Sequence, residues 1–202
     1  MPLNLPNLLT WLRIALIPLF VAVFYLPDGV VPKPAINLVA TAIFILAAVT
    51  DWLDGWLARK LNQMSAFGAF LDPVADKLMV AAALIVLVDL DRAGIAASLI
   101  IIGREIAISA LREWMARIGQ AKEVAVAFIG KLKTTAQMIA ITLLLYHDVV
   151  LGISAQWLGR WLLDIAAFLT LWSMAHYLLM AWKTLRHEPA DHTTLGARND
   201  PQ

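Results

Sequence analysis

The sequence predicts an all-α, polytopic membrane protein with six transmembrane helices and a short interfacial segment ahead of the first. Three observations carry that expectation. The chain is 61% apolar and only 15% charged, with a mean hydropathy of +0.75, far from the balance of a soluble domain. Six apolar stretches approach the roughly 20 residues a helix needs to cross a bilayer, and only short turn-forming segments separate them. The few charges gather at alternate ends of successive stretches.

The first stretch covers residues 8–27. Ahead of Arg13, apolar Leu3, Leu5, Leu8, Leu9, Trp11 and Leu12 are interleaved with Asn4, Asn7 and Thr10, as suits an amphipathic lead-in at the interface. The segment lacks the basic start and small-residue cleavage site of a secretory leader, so it is expected to remain as an anchor. After PDGVVPKP, the second stretch (35–59) is apolar until Asp51, Asp54 and Arg59. After KLNQMSA, the third (67–89) carries Asp72, Asp76 and Lys77 early. The fourth (93–116) carries Arg104, Glu105, Arg112 and Glu113 late, and the fifth (124–146) carries Lys131 and Lys133 early. HDVVLGISAQ reads as the turn into the sixth (158–182). Residues 1–185 are expected to form one helical domain, with 186–202 a polar cytoplasmic tail. There is no cysteine, which excludes a disulfide framework, a thiolate metal site and a cysteine nucleophile.

The uncharged runs Leu78–Val88, Ala93–Gly103 and Thr134–Tyr146 are too short to cross alone, so charged residues must lie within the helices. Successive spans run in opposite directions. Charges late in the second and fourth and early in the third and fifth therefore meet on one side, in a polar cavity of five helices if Arg13 joins. Of sixteen Lys and Arg residues, only Lys33, Arg92 and Arg160 fall on the other side. The positive-inside rule then places both termini and the cavity at the cytoplasmic face.

A charge near the bilayer centre costs roughly 2.5 to 3.5 kcal/mol even on insertion scales, so intramembrane carboxylates are functional candidates. Asp51, Asp54, Gly55 and Ala58 share one helical face by their spacing, and Gly68, Asp72 and Asp76 share another. A single such aspartate could be a helix-packing hydrogen bond or a snorkelled end residue. Four facing one another repel and call for a cation, and an oxygen-rich donor set suits Mg²⁺ or Mn²⁺. Gly55, Ala58 and Gly68 leave room for a neighbouring helix or a flat ligand. Arg59 at the edge of that face could grip a diphosphate or anchor the helix at the cytoplasmic side.

Asp51, two residues, Asp54-Gly55, two residues, Ala58-Arg59, eight residues, Gly68, three residues, Asp72, three residues, Asp76 resembles the complete signature of the CDP-alcohol phosphotransferase family. NLPNLLTWLRIALIP, GREIAISALREWMARIG and GKLKTTAQM resemble the bacterial branch that uses sn-glycerol 3-phosphate. The resemblance covers roughly residues 4–140 and is weaker from Tyr146 onward. It implies the family's six-helix fold, a homodimer in the bacterial inner membrane, no nucleic-acid partner, and two divalent ions. It also implies transfer of a phosphatidyl group from CDP-diacylglycerol to glycerol 3-phosphate with release of CMP, a step of phosphatidylglycerol and cardiolipin synthesis. By the same resemblance Asp51, Asp54, Asp72 and Asp76 would hold metal, with Asp76 also the base, or a plain ligand with the hydroxyl proton leaving through water. Asp54, Gly55, Ala58, Arg59 and Gly68 would seat the CDP group.

The acceptor carries its own phosphate, which requires a further cationic site. Arg104, Arg112, Lys131 and Lys133 are the candidates, with Arg13 and Arg117 further out. Glu105 and Glu113 offer the plainer alternative of ion pairs lacing the wet end of a helix. Two other functions compete: a family member with a different acceptor (serine, inositol phosphate or phosphatidylglycerol), and a cation transporter. The second gives no reason for Gly55, Ala58, Arg59 and Gly68. The eight tryptophans read as interface-belt or packing residues, and His176 as a hydrogen-bonded core histidine.

Overall fold

In the computed structural model the described residues are 5–27, 29–61, 66–117, 127–150 and 152–186. They form α1 (Leu5–Phe24), α2 (Lys33–Leu61), α3 (Ala66–Asp89), α4 (Ile95–Arg117), α5 (Ala127–Tyr146) and α6 (Ala155–Arg186). The residues expected to form the polar tail lie outside the described set beyond Arg186.

α1 buries Thr10, Arg13, Leu16 and Phe20 at spacings of three and four, one stripe of a helix, against α2 and α3. It begins at Leu5 and runs on without a break. The expected interfacial lead-in is therefore the opening of α1, not a separate segment. Pro6 does not interrupt it, because a first-turn proline lacks an N–H that would be unpaired anyway. In the middle of the bundle Phe44 of α2, Leu84 and Leu87 of α3, Ile101 of α4, Ile141 of α5 and Leu163 of α6 form one buried core.

The outside is also apolar. Ile85, Leu99, Ile106, Phe168 and Trp172 are all more than 60% exposed, an outer surface that matches a lipid environment. Two stretches, Lys33–Asp54 and Ala155–Ala175, are long and apolar enough to cross a membrane among the described residues, and Leu8–Phe24 is a shorter apolar helix. Three helical hydroxyls bond within their own helices: Thr41 donates to the Asn37 carbonyl at 2.7 Å, Thr50 to that of Ala47 at 2.8 Å, and Thr142 to that of Met138 at 2.8 Å. These three hydroxyls are thus paired without a second helix.

The turn before α6 holds a feature the sequence did not suggest, a two-residue antiparallel ladder pairing Val149 with Ser154 and Val150 with Ile153. Gly152, at a φ of +81°, makes its reversal possible. Ser154 then caps α6, its hydroxyl accepting from the Trp157 N–H at 3.3 Å. Arg92 knits this end of the bundle by donating to Asn37 Oδ1 at 2.9 Å and to the Leu145 carbonyl at 3.2 Å. Arg160 of α6 in turn donates to the Arg92 carbonyl at 3.1 Å. The three cations assigned to the outer face thus include two that tie helix ends together. At Gly159 α6 approaches α5 so closely that a Cβ would lie 2.8 Å from Leu144 Cγ.

Candidate active site

The carboxylates sit at the other end of the bundle from Arg92. α2 carries Asp51 and Asp54 in its later turns, and α3 carries Asp72 and Asp76 in its early ones. Asp51, Asp54, Asp72 and Asp76 come near enough for their charges to act on one another, Asp51 and Asp54 each against Asp72, and Asp76 against Asp51. α1 supplies what balances them. The Arg13 guanidinium lies 2.7 Å from Asp51 Oδ1 and bonds Asp54, both contacts made by a side chain that is only 1% exposed. One turn earlier the Thr10 hydroxyl donates to Asp72.

The sequence puts Arg13 among the outer cations for the acceptor phosphate; in the structure it lies within the acidic group instead. The reason is geometric. Thr10 and Arg13 stand three apart on the buried stripe of α1, and that stripe faces both acidic helices. Thr10 is a contact that sequence reasoning misses, although its spacing from Arg13 is the available signal.

A second polar group lies between α4 and α5. Arg104 pairs with Glu105 at 2.5 Å, and Lys133 Nζ lies 3.8 Å from the same carboxylate. Both cations are buried. Glu105 therefore holds the two helices through one shared anion, the charge-pair arrangement weighed against acceptor binding for Arg104. Glu105 also acts electrostatically on Asp76, which links the two groups. Lys77 of α3 donates to Ser109, whose hydroxyl donates to the Glu105 carbonyl at 2.6 Å. Neither Lys77 nor Ser109 is marked as a site residue by the sequence.

Gly55, Ala58 and Arg59 occupy the last turns of α2 and Gly68 the first turn of α3, while Arg112 lies on α4 and Lys131 on α5. Their side chains lie outside the described residues. Among the described residues no three acidic or imidazole groups stand close enough to share one metal ion in this conformation. The donor chemistry nevertheless fits a hard divalent cation: anionic oxygens from two helices, already gathered about a buried positive charge.

Two cavities bear on the location of the chemistry. An apolar groove of about 390 Å³ runs between α2 and α5 and ends at Trp52, next to Asp51. A larger cleft, about 1060 Å³, opens at the opposite end beside Lys33, Arg92 and His147. Among the described residues its lining holds a single carboxylate, Asp148, and its Arg92 guanidinium is committed to Asn37 and α5 carbonyls.

The spacing and the facing acidic helices agree with comparisons to known proteins. The family model described as CDP-alcohol phosphatidyltransferase matches residues 3–182. The chain belongs to that family. It is 50% identical over 196 residues to the CDP-diacylglycerol–glycerol-3-phosphate 3-phosphatidyltransferase of Sodalis glossinidius, covering 95% of this chain and 100% of that protein. The similarly named protein of Salmonella typhimurium is 49% identical over 183 residues, covering 90% of this chain and 96% of that protein. That of Shigella flexneri is 50% identical over the same length, with the same coverage.

Proposed function

We propose that this chain transfers the phosphatidyl group of CDP-diacylglycerol to sn-glycerol 3-phosphate, giving phosphatidylglycerophosphate and CMP. The observation that carries the reading is that Asp51, Asp54, Asp72 and Asp76 lie at one end of an apolar bundle within electrostatic reach of one another, with a cationic group on α4 and α5 close by. The names of relatives about half identical over nearly the whole chain support the donor and acceptor. All six helices span the bacterial inner membrane in this reading, with both termini and the site cytoplasmic, and the protein works as a homodimer.

Asp51, Asp54, Asp72 and Asp76 would hold two divalent ions, Mg²⁺ or Mn²⁺, which when bound neutralise the diphosphate and stabilise the leaving phosphate. Asp54, Gly55, Ala58 and Gly68 form the seat of the cytidine nucleotide, and Arg59 grips its diphosphate. The α2–α5 groove beside Trp52 gives the donor's acyl chains a lipid-facing path to that seat. The free C1 hydroxyl of glycerol 3-phosphate attacks the phosphorus bearing diacylglycerol, a new P–O bond forms, and the bond to CMP breaks. Asp76 accepts the hydroxyl proton. Arg104, Arg112, Lys131 and Lys133 are the cations available for the acceptor phosphate, with Glu105 setting the positions of two of them.

The test is CMP release by purified protein given CDP-diacylglycerol, Mg²⁺ and a panel of acceptors. Release with glycerol 3-phosphate alone is expected. Release with serine, inositol phosphate or phosphatidylglycerol in its place would overturn the acceptor, and no release with any of them would overturn the enzymatic reading.

A further inference from the structure

Arg13 is a cation buried to 1% exposure on the inward stripe of α1. Leu16 and Phe20 on the same stripe make the apolar contact of α1 with the core. The guanidinium lies 2.7 Å from Asp51 as an ion pair and bonds Asp54, while its Nε and Nη1 make no hydrogen bond. Its charge acts on Asp51, Asp54 and Asp76 alike. Burying a guanidinium is costly unless its partners are charged, and gathering carboxylates is costly unless a cation sits among them. Each cost is met here by the other group.

An Arg13 guanidinium held on Asp51 and Asp54 occupies an oxygen of each and opposes a divalent ion entering beside it, because like charges repel at close range in a poorly screened site. We propose that Arg13 is the resident counter-cation of the carboxylate group, and that a divalent ion entering the group displaces its guanidinium. Arg13 is then a positioning residue: while metal is absent it neutralises Asp51 and Asp54 at the acidic end of α2, and it sets metal affinity by competing for those two carboxylates. The inference rests on the metal-dependent reading above and adds to it an exchange between one side chain and the ion. It also accounts for a donor set that suits a divalent cation although, among the described residues, no three of its members converge on one point.

The experiment uses the full chain purified in detergent, without substrate, and Mn²⁺ as the probe. Free Mn²⁺ is followed by electron paramagnetic resonance, and thermal unfolding is recorded in EDTA and in Mn²⁺. Arg13→Gln is expected to bind Mn²⁺ about tenfold more tightly than the unaltered protein, since a neighbouring charge moves ionic equilibria by one to three decades. Its unfolding midpoint in EDTA falls, and Mn²⁺ restores most of the loss. Arg13→Lys, which keeps the charge, stays near the unaltered protein in both measurements. Equal or weaker Mn²⁺ binding by Arg13→Gln would overturn the competition while leaving the metal reading intact. Absence of Mn²⁺ binding by the unaltered protein would overturn both. Should Arg13→Gln not fold, an arginine-selective dicarbonyl applied to the unaltered protein decides the matter. Labelling of Arg13, mapped by mass spectrometry, is expected to rise severalfold on adding Mn²⁺, and equal labelling with and without the ion would refute displacement.

Discussion

Replacing Asp54 with asparagine separates what the acidic group does for the fold from what it does for chemistry. Asp54 is 3% exposed and faces an Arg13 that is 1% exposed. Removing one partner of a buried ion pair costs about 3 to 5 kcal/mol, because the other is left uncompensated. Asparagine keeps a hydrogen-bond acceptor, and Asp51 remains 2.7 Å from the guanidinium, although its side chain is 42% exposed. The expected loss is therefore smaller, about 2 kcal/mol, or about 4 to 8 °C in unfolding midpoint for a chain of this size. Asp76 provides the contrast. It forms no ion pair or hydrogen bond among the described residues, so Asp76→Asn is expected to unfold within about 1 kcal/mol of the unaltered protein. Both substitutions abolish CMP release, while Asp76→Asn still binds the CDP-linked donor. The assay is thermal unfolding in EDTA, followed by tryptophan fluorescence, beside CMP release on the same preparations. Unfolding of Asp54→Asn at the unaltered temperature, or an equal loss for Asp76→Asn, would refute the pairing on which the reasoning depends.

Gly159→Ala should destabilise the α5–α6 contact by about 1 to 3 kcal/mol, as overpacking does. Its Cβ would stand 2.8 Å from Leu144 Cγ and 3.2 Å from the Ala140 carbonyl oxygen, and the unaltered unfolding midpoint would contradict that close approach. Arg92→Ala removes the ties to Asn37 and to two α5 carbonyls. It should cost about 1 to 3 kcal/mol in unfolding and, at temperatures where the variant is folded, leave CMP release nearly unchanged, which an activity assay beside the melt would check. His147, in the loop after α5, has its pKa lowered from the ordinary 6.5, first by burial and then by Arg92 and Arg160, against an opposing effect of Asp148. The unfolded chain therefore binds the proton more readily, so the stability from neutral His147 is complete above about pH 6.5 and is lost as pH falls toward the lower folded value. Melts at successive pH values should show that slope in the unaltered protein and a shallower one in His147→Gln; equal slopes would contradict it.

The helices were legible because length and apolarity are local properties, and the observed α2, α3 and α4 lie within a few residues of the expected stretches. That Asp51, Asp54, Asp72 and Asp76 fall at the same end of the bundle was legible too, since alternating helix direction fixes which ends meet. Thr10, Lys77 and Ser109 were not, because their partners depend on how each helix is rotated about its axis, which spacing within one helix does not determine. Arg13 was assigned to the polar end but not to its carboxylate partners for the same reason. The ladder at Val149–Val150 and Ile153–Ser154 has no signal in the sequence, because two-residue strands leave no periodic pattern. Glu105 illustrates the middle case: its pairing with a basic residue is readable from the sequence, but its place between Arg104 and Lys133 of different helices required the fold.

The central claim is that the carboxylate end of this bundle carries out metal-dependent phosphatidyl transfer. It is tested most directly by CMP release from CDP-diacylglycerol and sn-glycerol 3-phosphate, measured in Mg²⁺, after excess EDTA, and after Mg²⁺ is restored. The account predicts turnover, its loss, and its recovery in that order; turnover that continues undiminished in EDTA would contradict it.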